Sequence, residues 1–157
     1  MRCRAGHAVI EDQMREENAI FAGELPGHYY YRDVGFTDNG VLTMIQMLNL
    51  LSLKSEPVSQ LIRPLKRYHS TAEIDMQVEN KDGIPAALEA KYADATIDYL
   101  DGLTMECVSW WFNLRASNTE PVVRLNLEAN DSGIMDQEKS EVLKTIMDID
   151  PTMVLKT

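Results

Sequence analysis

Apolar and polar residues follow two different patterns along this chain, and the change between them falls near residue 66. The first part, residues 1–65, mixes short strand-like runs with helical segments. The second part, residues 71–157, alternates apolar and polar residues in strand fashion between turn dipeptides. The mixed stretch 66–70 is typical of a connection between units. We therefore expect two units, 1–65 and 71–157.

In the first unit the clearest element is a helix over residues 41–51. Apolar residues fill nearly every position, and the few polar ones form a thin stripe at a spacing of three, which predicts a mostly buried helix. The turn Asp38-Asn39-Gly40 marks its start. The other expected elements are a helix over 7–14, a buried strand over 19–22, an aromatic strand over 29–31 and a second helix over 57–65.

The second unit predicts a small antiparallel sheet with helices packed on one face, and hence an α+β fold. Asp101-Gly102 is a hairpin signal between two strand-like runs, and Asp82-Gly83 is a turn before a short helix. The expected strands are 72–78, 95–100, 103–108, 110–114 and 122–127, and the expected helices are 84–92 and 136–147.

Composition places the chain among globular proteins. Its 157 residues are 45% hydrophobic and 25% charged, enough for one ordinary domain or two small ones. No apolar run is long enough to span a bilayer, and residues 1–10 lack the apolar core of a signal peptide. Cys3 and Cys107 form no disulfide or metal pattern, so a reduced, cytoplasmic setting is the simplest interpretation.

The charge distribution excludes one class of partner and points to another. A formal net charge of −10 argues against a nucleic-acid binder, which needs a basic surface. Acidic and basic residues balance up to Ser70, whereas acids dominate afterwards and the only arginines there are Arg115 and Arg124. Two arginines near one turn of an acidic half indicate either a local anion site or a chance pair of surface residues.

The turn in question joins two predicted strands and reads Arg115-Ala116-Ser117-Asn118-Thr119-Glu120-Pro121, followed by Arg124. Its hydroxyls, its amide and its backbone N–H groups can converge on one anion. Arg115 adds a planar fork that matches two phosphate oxygens, and alternation places Arg124 away from the apolar face of its strand. Serine, asparagine and threonine are also ordinary turn residues, so a capped hairpin turn with surface arginines explains them equally well.

A second loop, Gly23-Glu24-Leu25-Pro26-Gly27-His28, carries another candidate binding set. Glycines let a backbone approach a ligand closely. The carboxylate of Glu24 can accept hydrogen bonds from two neighbouring sugar hydroxyls, and His28 can donate or accept. Taken alone, these residues also fit a surface loop with a satisfied histidine.

Both loops resemble those of a known family. Residues 112–121, F-N-L-R-A-S-N-T-E-P, closely resemble the phosphate-binding loop in the last domain of the α-D-phosphohexomutases, and residues 23–28 resemble that family's sugar-binding loop, G-E-x-S-G-H. The resemblance covers essentially the whole chain and includes Arg4-Ala5-Gly6-His7 and Arg32-Asp33. It implies that Glu24 and His28 orient the sugar. The phosphate-binding residues that it implies are Arg115, Ser117, Asn118 and Thr119. Strand alternation allows Arg124 either to point toward the same phosphate or to hold the turn in place.

The chain departs from the family pattern at two positions. Pro26 replaces a serine, losing its hydroxyl and backbone N–H, and Glu11 stands where members often have lysine. The family's phosphoserine loop (T-A-S-H-N-P) and magnesium loop (D-G-D-x-D-R) do not occur in the sequence, and Asp148-Ile149-Asp150 lacks the spacing of the second. We therefore expect no catalytic residue and no metal ligand here, and we interpret the chain as a fragment that is inactive alone.

The resemblance further implies the layout and the activity of a parent enzyme. Residues 1–65 would be an incomplete α/β third domain and residues 71–157 the C-terminal domain. The parent would be an isomerase of carbohydrate metabolism that interconverts hexose 1-phosphate and hexose 6-phosphate through a hexose 1,6-bisphosphate, with Mg²⁺ held outside this chain. Its partners would be a phosphorylated glucose or mannose and the parent's own N-terminal domains.

Two alternatives concern the exact assignment. The sequence S-N-T-E-P favours the phosphomannomutase/phosphoglucomutase type over the phosphoglucosamine mutases, which typically have S-G-T-E-P. A function of another class is a stand-alone, non-catalytic module that binds phosphosugars.

Overall fold

The computed structural model divides the chain into two units, Met1–Leu65 and Lys66–Thr157, and it describes residues 1–117 and 122–156. Both units combine helices with antiparallel strands, which confirms the α+β prediction. Among the described residues, no helix is both long enough and apolar enough to cross a bilayer.

The first unit is built around a three-stranded antiparallel sheet. Its elements are α1 (His7–Glu16), β1 (Phe21–Gly23), β2 (Tyr29–Tyr31), β3 (Thr37–Asp38), α2 (Gly40–Ser52) and α3 (Val58–Ile62), with 3₁₀ turns at Arg32–Val34 and Arg63–Leu65. The strand order is β1-β2-β3, with Ala22 opposite Tyr30 and Tyr30 opposite Asp38. Ile10 and Met14 of α1 form the buried core with Tyr30. The core of this unit is therefore small.

The helix expected over 41–51 is confirmed as α2, but its predicted burial is wrong. Asn39 caps the helix by accepting a hydrogen bond from the backbone N–H of Leu42 at 2.9 Å. No residue of α2 is buried, and its most exposed apolar side chains are Val41, Met44, Ile45, Met47, Leu48 and Leu50. An apolar helix is buried only where other elements pack over it, and the three-stranded sheet of this unit is too small to cover α2.

The strand expected over 19–22 is also less buried than predicted. It is observed as β1, which begins at Phe21, and it is not buried, since Ile20 and Phe21 expose 68% and 50% of their surface. β1 lies at the edge of the sheet, and Ala22 is its partly covered residue. A short apolar run does not distinguish an edge strand from a central one, because both satisfy the same pattern.

The second unit is a seven-stranded antiparallel sheet with two helices. Its elements are β4 (His69–Ser70), β5 (Ile74–Gln77), α4 (Gly83–Lys91), β6 (Thr96–Asp98), β7 (Leu103–Glu106), β8 (Trp110–Ala116), β9 (Val123–Ala129), α5 (Ser132–Ile149) and β10 (Val154–Leu155). The strand order is β10-β5-β9-β8-β7-β6, and β4 also pairs with β9. All the predicted strands and helices of this unit are present. The two-residue strands β4 and β10 are too short to show alternation and were not predicted.

Alternation along β8 and β9 separates the two faces of this sheet. One face is apolar and packs against α4 and α5. Its fully buried residues include Phe112, Leu125 and Leu127, and the buried helix residues on the other side of this core are Leu88, Val142 and Ile146. The opposite face carries partly exposed polar side chains, among them Asn113 and Arg115 of β8 and Arg124 and Asn126 of β9. The helices therefore lie on one face, as predicted, and leave the arginines on the other.

Candidate functional site

The two arginines of the second unit form a cross-strand pair. Arg115 of β8 lies directly opposite Arg124 of β9, and their side chains are only 17% and 22% exposed. Glu73 contacts both guanidinium groups, with N–O distances of 3.5 Å to each. Asp75 lies 3.2 Å from Nε of Arg124, and Asp101 lies 4.0 Å from Arg115. Two cations and three carboxylates thus share this patch of the polar face.

The two guanidinium groups repel each other, and nearby carboxylates offset this repulsion. Like charges directly opposite each other on neighbouring strands destabilise a sheet. Glu73 relieves that repulsion by bridging Arg115 and Arg124. Asn126 holds this carboxylate in place, because its Nδ2 donates to Oε2 of Glu73 at 3.3 Å. The carboxylate of Glu73 therefore supplies negative charge that the two guanidinium groups share.

The loop of the predicted phosphate site leaves the sheet at this end. The backbone N–H of Ser117 donates to the carbonyl oxygen of Val122 at 2.9 Å, which closes the connection between β8 and β9. Arg115, Ser117 and Arg124 are therefore brought to one end of the hairpin. Asn118 and Thr119, the other two predicted phosphate ligands, lie outside the described residues.

The turn at Asp101-Gly102 supports Arg115 from the neighbouring hairpin. Gly102 has a φ of +78°, and a Cβ there would lie 2.5 Å from the carbonyl oxygen of Leu114 and 2.6 Å from Cβ of Arg115. Only glycine fits this position without moving the strand. Asn113 anchors the same turn, since its Nδ2 donates to the carbonyl oxygen of Asp101 at 2.8 Å.

A cavity of about 340 Å³ adjoins Arg115. It lies next to the first turn of α4, and the lining residues that bear on binding are Lys81, Ile84, Pro85, Tyr99, Leu114 and Arg115. Lys81 and the N-terminus of α4 add positive potential beside Arg115. The sequence analysis did not identify Lys81, because it lies in a turn far along the chain from the loop.

The predicted sugar loop of the first unit is held in a tight conformation. The N–H of Glu24 donates to the carbonyl oxygen of His28 at 2.9 Å, and the N–H of Gly27 donates to that of Glu24 at 3.0 Å. The two oxygens of the Glu24 carboxylate accept from Tyr30 Oη at 2.6 Å and from the N–H of Gly6 at 3.2 Å. Burial and this carboxylate raise the pKa of Tyr30, so its hydroxyl remains a donor. Glu24 is thereby fixed in direction.

His28, the other predicted sugar ligand, is oriented by Asp38. Its Nδ1 lies 2.7 Å from Oδ2 of Asp38, and the other carboxylate oxygen accepts from the N–H of Tyr29 at 3.0 Å. The hydrogen bond with His28 is the main reason that the pKa of Asp38 is lowered. The ring of His7 lies 4.6 Å from that of His28. The structure thus adds His7 and Asp38 to the surroundings of His28, whereas the sequence analysis treated Asp38 only as part of a turn.

Among the described residues, the acidic pair at the end of α5 does not fit Mg²⁺. Asp148 pairs with Lys144 at 3.1 Å. Asp150 instead accepts hydrogen bonds from the N–H groups of Glu79 and Asn80 and from Thr152. These bonds lower the pKa of Asp150 to about 2. The two carboxylates serve separate structural contacts, so no step of a reaction is assigned to them.

Comparisons with known proteins agree with the family resemblance of the sequence. Residues 1–68 match the family model "Phosphoglucomutase/phosphomannomutase, alpha/beta/alpha domain III", and residues 73–145 match "Phosphoglucomutase/phosphomannomutase, C-terminal domain". A phosphomannomutase of Escherichia coli is 38% identical over 144 residues, which cover 89% of this chain and 32% of that protein. A phosphomannomutase of Methanocaldococcus jannaschii is 33% identical over 153 residues, which cover 98% of this chain and 34% of that protein.

A solved structure also resembles the fold. It is the crystal structure of a phosphoglucomutase/phosphomannomutase family protein from Burkholderia thailandensis, with a TM-score of 0.79 and 28% sequence identity. The match covers 99% of this chain and 34% of the other. The chain therefore spans about a third of the length of the relatives that it matches.

Proposed function

The chain belongs to the phosphoglucomutase/phosphomannomutase family, and we propose that it is the C-terminal, substrate-binding portion of an enzyme that interconverts hexose 1-phosphate and hexose 6-phosphate. In this proposal residues 1–65 are part of domain III and carry the sugar-binding loop. Residues 71–157 are the C-terminal domain and carry the phosphate-binding loop. The parent is then an isomerase of the phosphomannomutase/phosphoglucomutase type, acting in the cytoplasm on phosphorylated glucose or mannose.

The observation that carries this proposal is the cross-strand pair of Arg115 and Arg124 at the start of the recognised loop. Surface arginines of an ordinary hairpin turn would extend into water. These two are mostly covered and are held together by the shared carboxylate of Glu73. A phosphate group can replace that carboxylate with charge-assisted hydrogen bonds to both guanidinium forks.

The surroundings of Arg115 leave room for a group of the size of a phosphate monoester. The adjoining cavity of about 340 Å³ leaves room for a ligand beside the sheet. Lys81 and the first turn of α4 line this cavity. They add positive potential there, which partly offsets the negative net charge of the unit. The loop residues Ser117, Asn118 and Thr119 are proposed to complete the phosphate site with hydroxyl, amide and backbone N–H donors.

The sugar is proposed to bind at Glu24 and His28 of the first unit. Each oxygen of the Glu24 carboxylate accepts one hydrogen bond within the protein and retains a further lone pair for a sugar hydroxyl. Asp38 orients the imidazole of His28, whose side chain is 42% exposed. Pro26 offers no hydroxyl at the position where relatives have serine, so the sugar contacts proposed here are those of Glu24 and His28.

In this scheme the chain binds and orients the substrate rather than breaking bonds. Phosphoryl transfer requires a nucleophile or phosphoryl donor and a cation beside the transferred group. The family supplies these through its phosphoserine and its Mg²⁺, which we place in the N-terminal domains of the parent. A hexose 1,6-bisphosphate intermediate could bind with either phosphate at Arg115, which presents the other phosphate for transfer.

The proposal is tested by titrating the ¹⁵N-labelled chain with glucose 6-phosphate and following its backbone amides by NMR. We expect the amides of residues 115–124 to shift with the phosphate ester and not with glucose alone. The variant Lys144→Ala, which removes a positive charge on the exposed side of α5, serves as the control and should bind as the unaltered chain does. Equal shifts with glucose, or none near Arg115 at saturating ligand, would contradict the proposal.

A stand-alone phosphosugar-binding module would give the same NMR result. To distinguish the module from the parent enzyme, the protein encoded by any longer reading frame that begins before Met1 has to be assayed. Mutase activity of that longer protein supports the proposed parent enzyme. A longer protein that binds glucose 6-phosphate but does not convert it supports the module.

A further inference from the structure

Two histidines and an aspartate converge in the first unit, outside the phosphate site. His7 is the first residue of α1, His28 follows the sugar loop, and Asp38 ends β3. One donor atom from each of the three side chains lies within 4.8 Å of the other two. Within residues 1–117 and 122–156, no other group of three histidine, cysteine or acidic side chains has the spacing of a metal site.

The donor set suits a borderline transition-metal ion. Imidazole nitrogen is a preferred ligand of Zn²⁺, Co²⁺, Ni²⁺ and Cu²⁺, whereas Mg²⁺ and Ca²⁺ prefer oxygen alone. Three protein ligands with two nitrogens and one oxygen are typical of Zn²⁺ sites that keep an open position. Tetrahedral ligands at the usual Zn–N and Zn–O distances lie about 3.3 Å apart. His7 is exposed and can rotate toward the other two by the small distance required.

The surrounding hydrogen bonds already orient this set. The backbone N–H of Tyr29 donates to Oδ1 of Asp38, and Oδ2 lies 2.7 Å from Nδ1 of His28. A metal ion bound by both side chains would replace this second contact with coordination. Tyr30 packs edge-on against the ring of His7, with ring centroids 5.6 Å apart. Outer contacts of this kind fix ligand direction and raise metal affinity. The carboxylate of Glu24, bonded to Tyr30 and Gly6, adds negative charge nearby.

We propose that His7, His28 and Asp38 form a binding site for one divalent transition-metal ion, with Zn²⁺ as the best match. The site needs only the first unit and does not rest on the proposed function. The sequence analysis expected no metal ligand in this chain, because the three residues share no spacing motif and meet only through the pairing of β2 with β3 and the packing of α1. If His28 also orients the sugar, the metal competes with it.

The test is a titration of the chelator-treated full chain with Zn²⁺, followed by isothermal calorimetry and by the ring resonances of its histidines. We expect one equivalent to bind, with the resonances of His7 and His28 shifting and those of His69 unchanged. His7→Ala and Asp38→Asn should each weaken binding by at least about tenfold. Far-UV circular dichroism checks that both variants fold.

The matched control is His69→Ala, which removes the third histidine of the chain from the exposed strand β4 of the other unit. It should bind Zn²⁺ as the unaltered chain does. Cys3→Ser should also keep the site, because sulfur is not among the proposed ligands. Binding that persists in His7→Ala, that is lost in His69→Ala or Cys3→Ser, or that never reaches one equivalent would overturn the proposal.

Discussion

Arg115 and Arg124 lie directly opposite each other on β8 and β9, and the carboxylate of Glu73 lies 3.5 Å from both guanidinium groups. Like charges in this register destabilise a sheet, and an anion between them relieves the repulsion. Glu73 supplies that anion in the structure, and a substrate phosphate would supply it during binding. In the proposed function, the carboxylate of Glu73 and the substrate phosphate would therefore compete for the same two guanidinium groups.

The first prediction follows from this competition. Glu73→Gln removes the competing charge but keeps the shape of the side chain, so phosphate should bind more tightly. Because the ion pairs are partly exposed, each contributes up to about 1 kcal/mol, and we expect a gain of roughly two- to fivefold in affinity. NMR titration with inorganic phosphate measures it. Glu141→Gln, which breaks the ion pair with Lys91, makes the same change of charge and should leave the affinity unaltered.

The second prediction concerns acid stability of the second unit. The hydrogen bonds from Thr152, Asn80 and Glu79 lower the pKa of Asp150 to about 2, against about 3.9 for an exposed aspartate. Because the folded pKa lies below the unfolded one, this stabilisation is complete above about pH 4 and is lost as the pH falls toward 2. Asp150→Asn should lower Tm by several degrees at neutral pH and flatten its dependence on pH in the acid range.

Thermal unfolding followed by circular dichroism checks this prediction. Asp148→Asn is the control, because its carboxylate pairs with Lys144 on the exposed side of α5. It should change Tm little. An acid transition of Asp150→Asn as steep as that of the unaltered chain would show that Asp150 does not carry the effect.

The third prediction is that the first unit opens more readily than the second. α2 has no buried residue, and the buried core of its unit consists of Ile10, Met14 and Tyr30. The second unit buries an extensive apolar face of its sheet against two helices. Each Å² of apolar surface removed from water contributes about 25 cal/mol. Hydrogen exchange should therefore show weaker protection before Leu65 than after Thr71. Equal protection of the two units would refute this.

The sequence predicted the second unit more accurately than the first for a physical reason. In β8 and β9 one face is buried and the other is polar, so alternation identifies the strand and the side on which Arg115 and Arg124 lie. In α2 the apolar pattern correctly predicts a helix, but it does not show how much of the helix surface the rest of the unit buries. Apolar content alone therefore overestimated the burial of α2 and β1.

The same contrast applies to the candidate sites. Glu24, His28 and Arg115 belong to short contiguous motifs, which can be recognised in the sequence alone. Glu73, Lys81 and Asp38 reach those loops only through strand pairing and packing of residues distant along the chain. Their partnership could be predicted only once the register of the strands was known.

The fourth prediction is that the 157-residue chain has no mutase activity by itself. The sequence has neither the phosphoserine loop nor the magnesium loop of the family, and Asp148 and Asp150 are engaged in separate contacts. A coupled assay with glucose 1-phosphate and Mg²⁺ should show no conversion. Turnover that is proportional to the purified chain and survives repurification would show that this chain contains a catalytic centre.

The fifth prediction states how Arg115 contributes to the parent enzyme. Arg115→Ala should lower kcat/KM by the equivalent of roughly 1.5–3 kcal/mol, the range for a hydrogen bond to a charged group, while the fold is retained. Arg115→Lys should recover only part of this loss, because a point charge cannot reproduce the bidentate fork. Lys144→Ala, which removes a positive charge far along the chain from the loop, should leave kcat/KM unchanged.

The most direct test of the central claim is therefore kcat/KM of Arg115→Ala in the full-length enzyme, with glucose 1-phosphate as substrate. We predict a loss of roughly 10- to 150-fold, the fold-change that corresponds to the free energy above. A value of kcat/KM equal to that of the unaltered enzyme would contradict the phosphate role, and Arg115 would then be a structural residue of the β8–β9 hairpin.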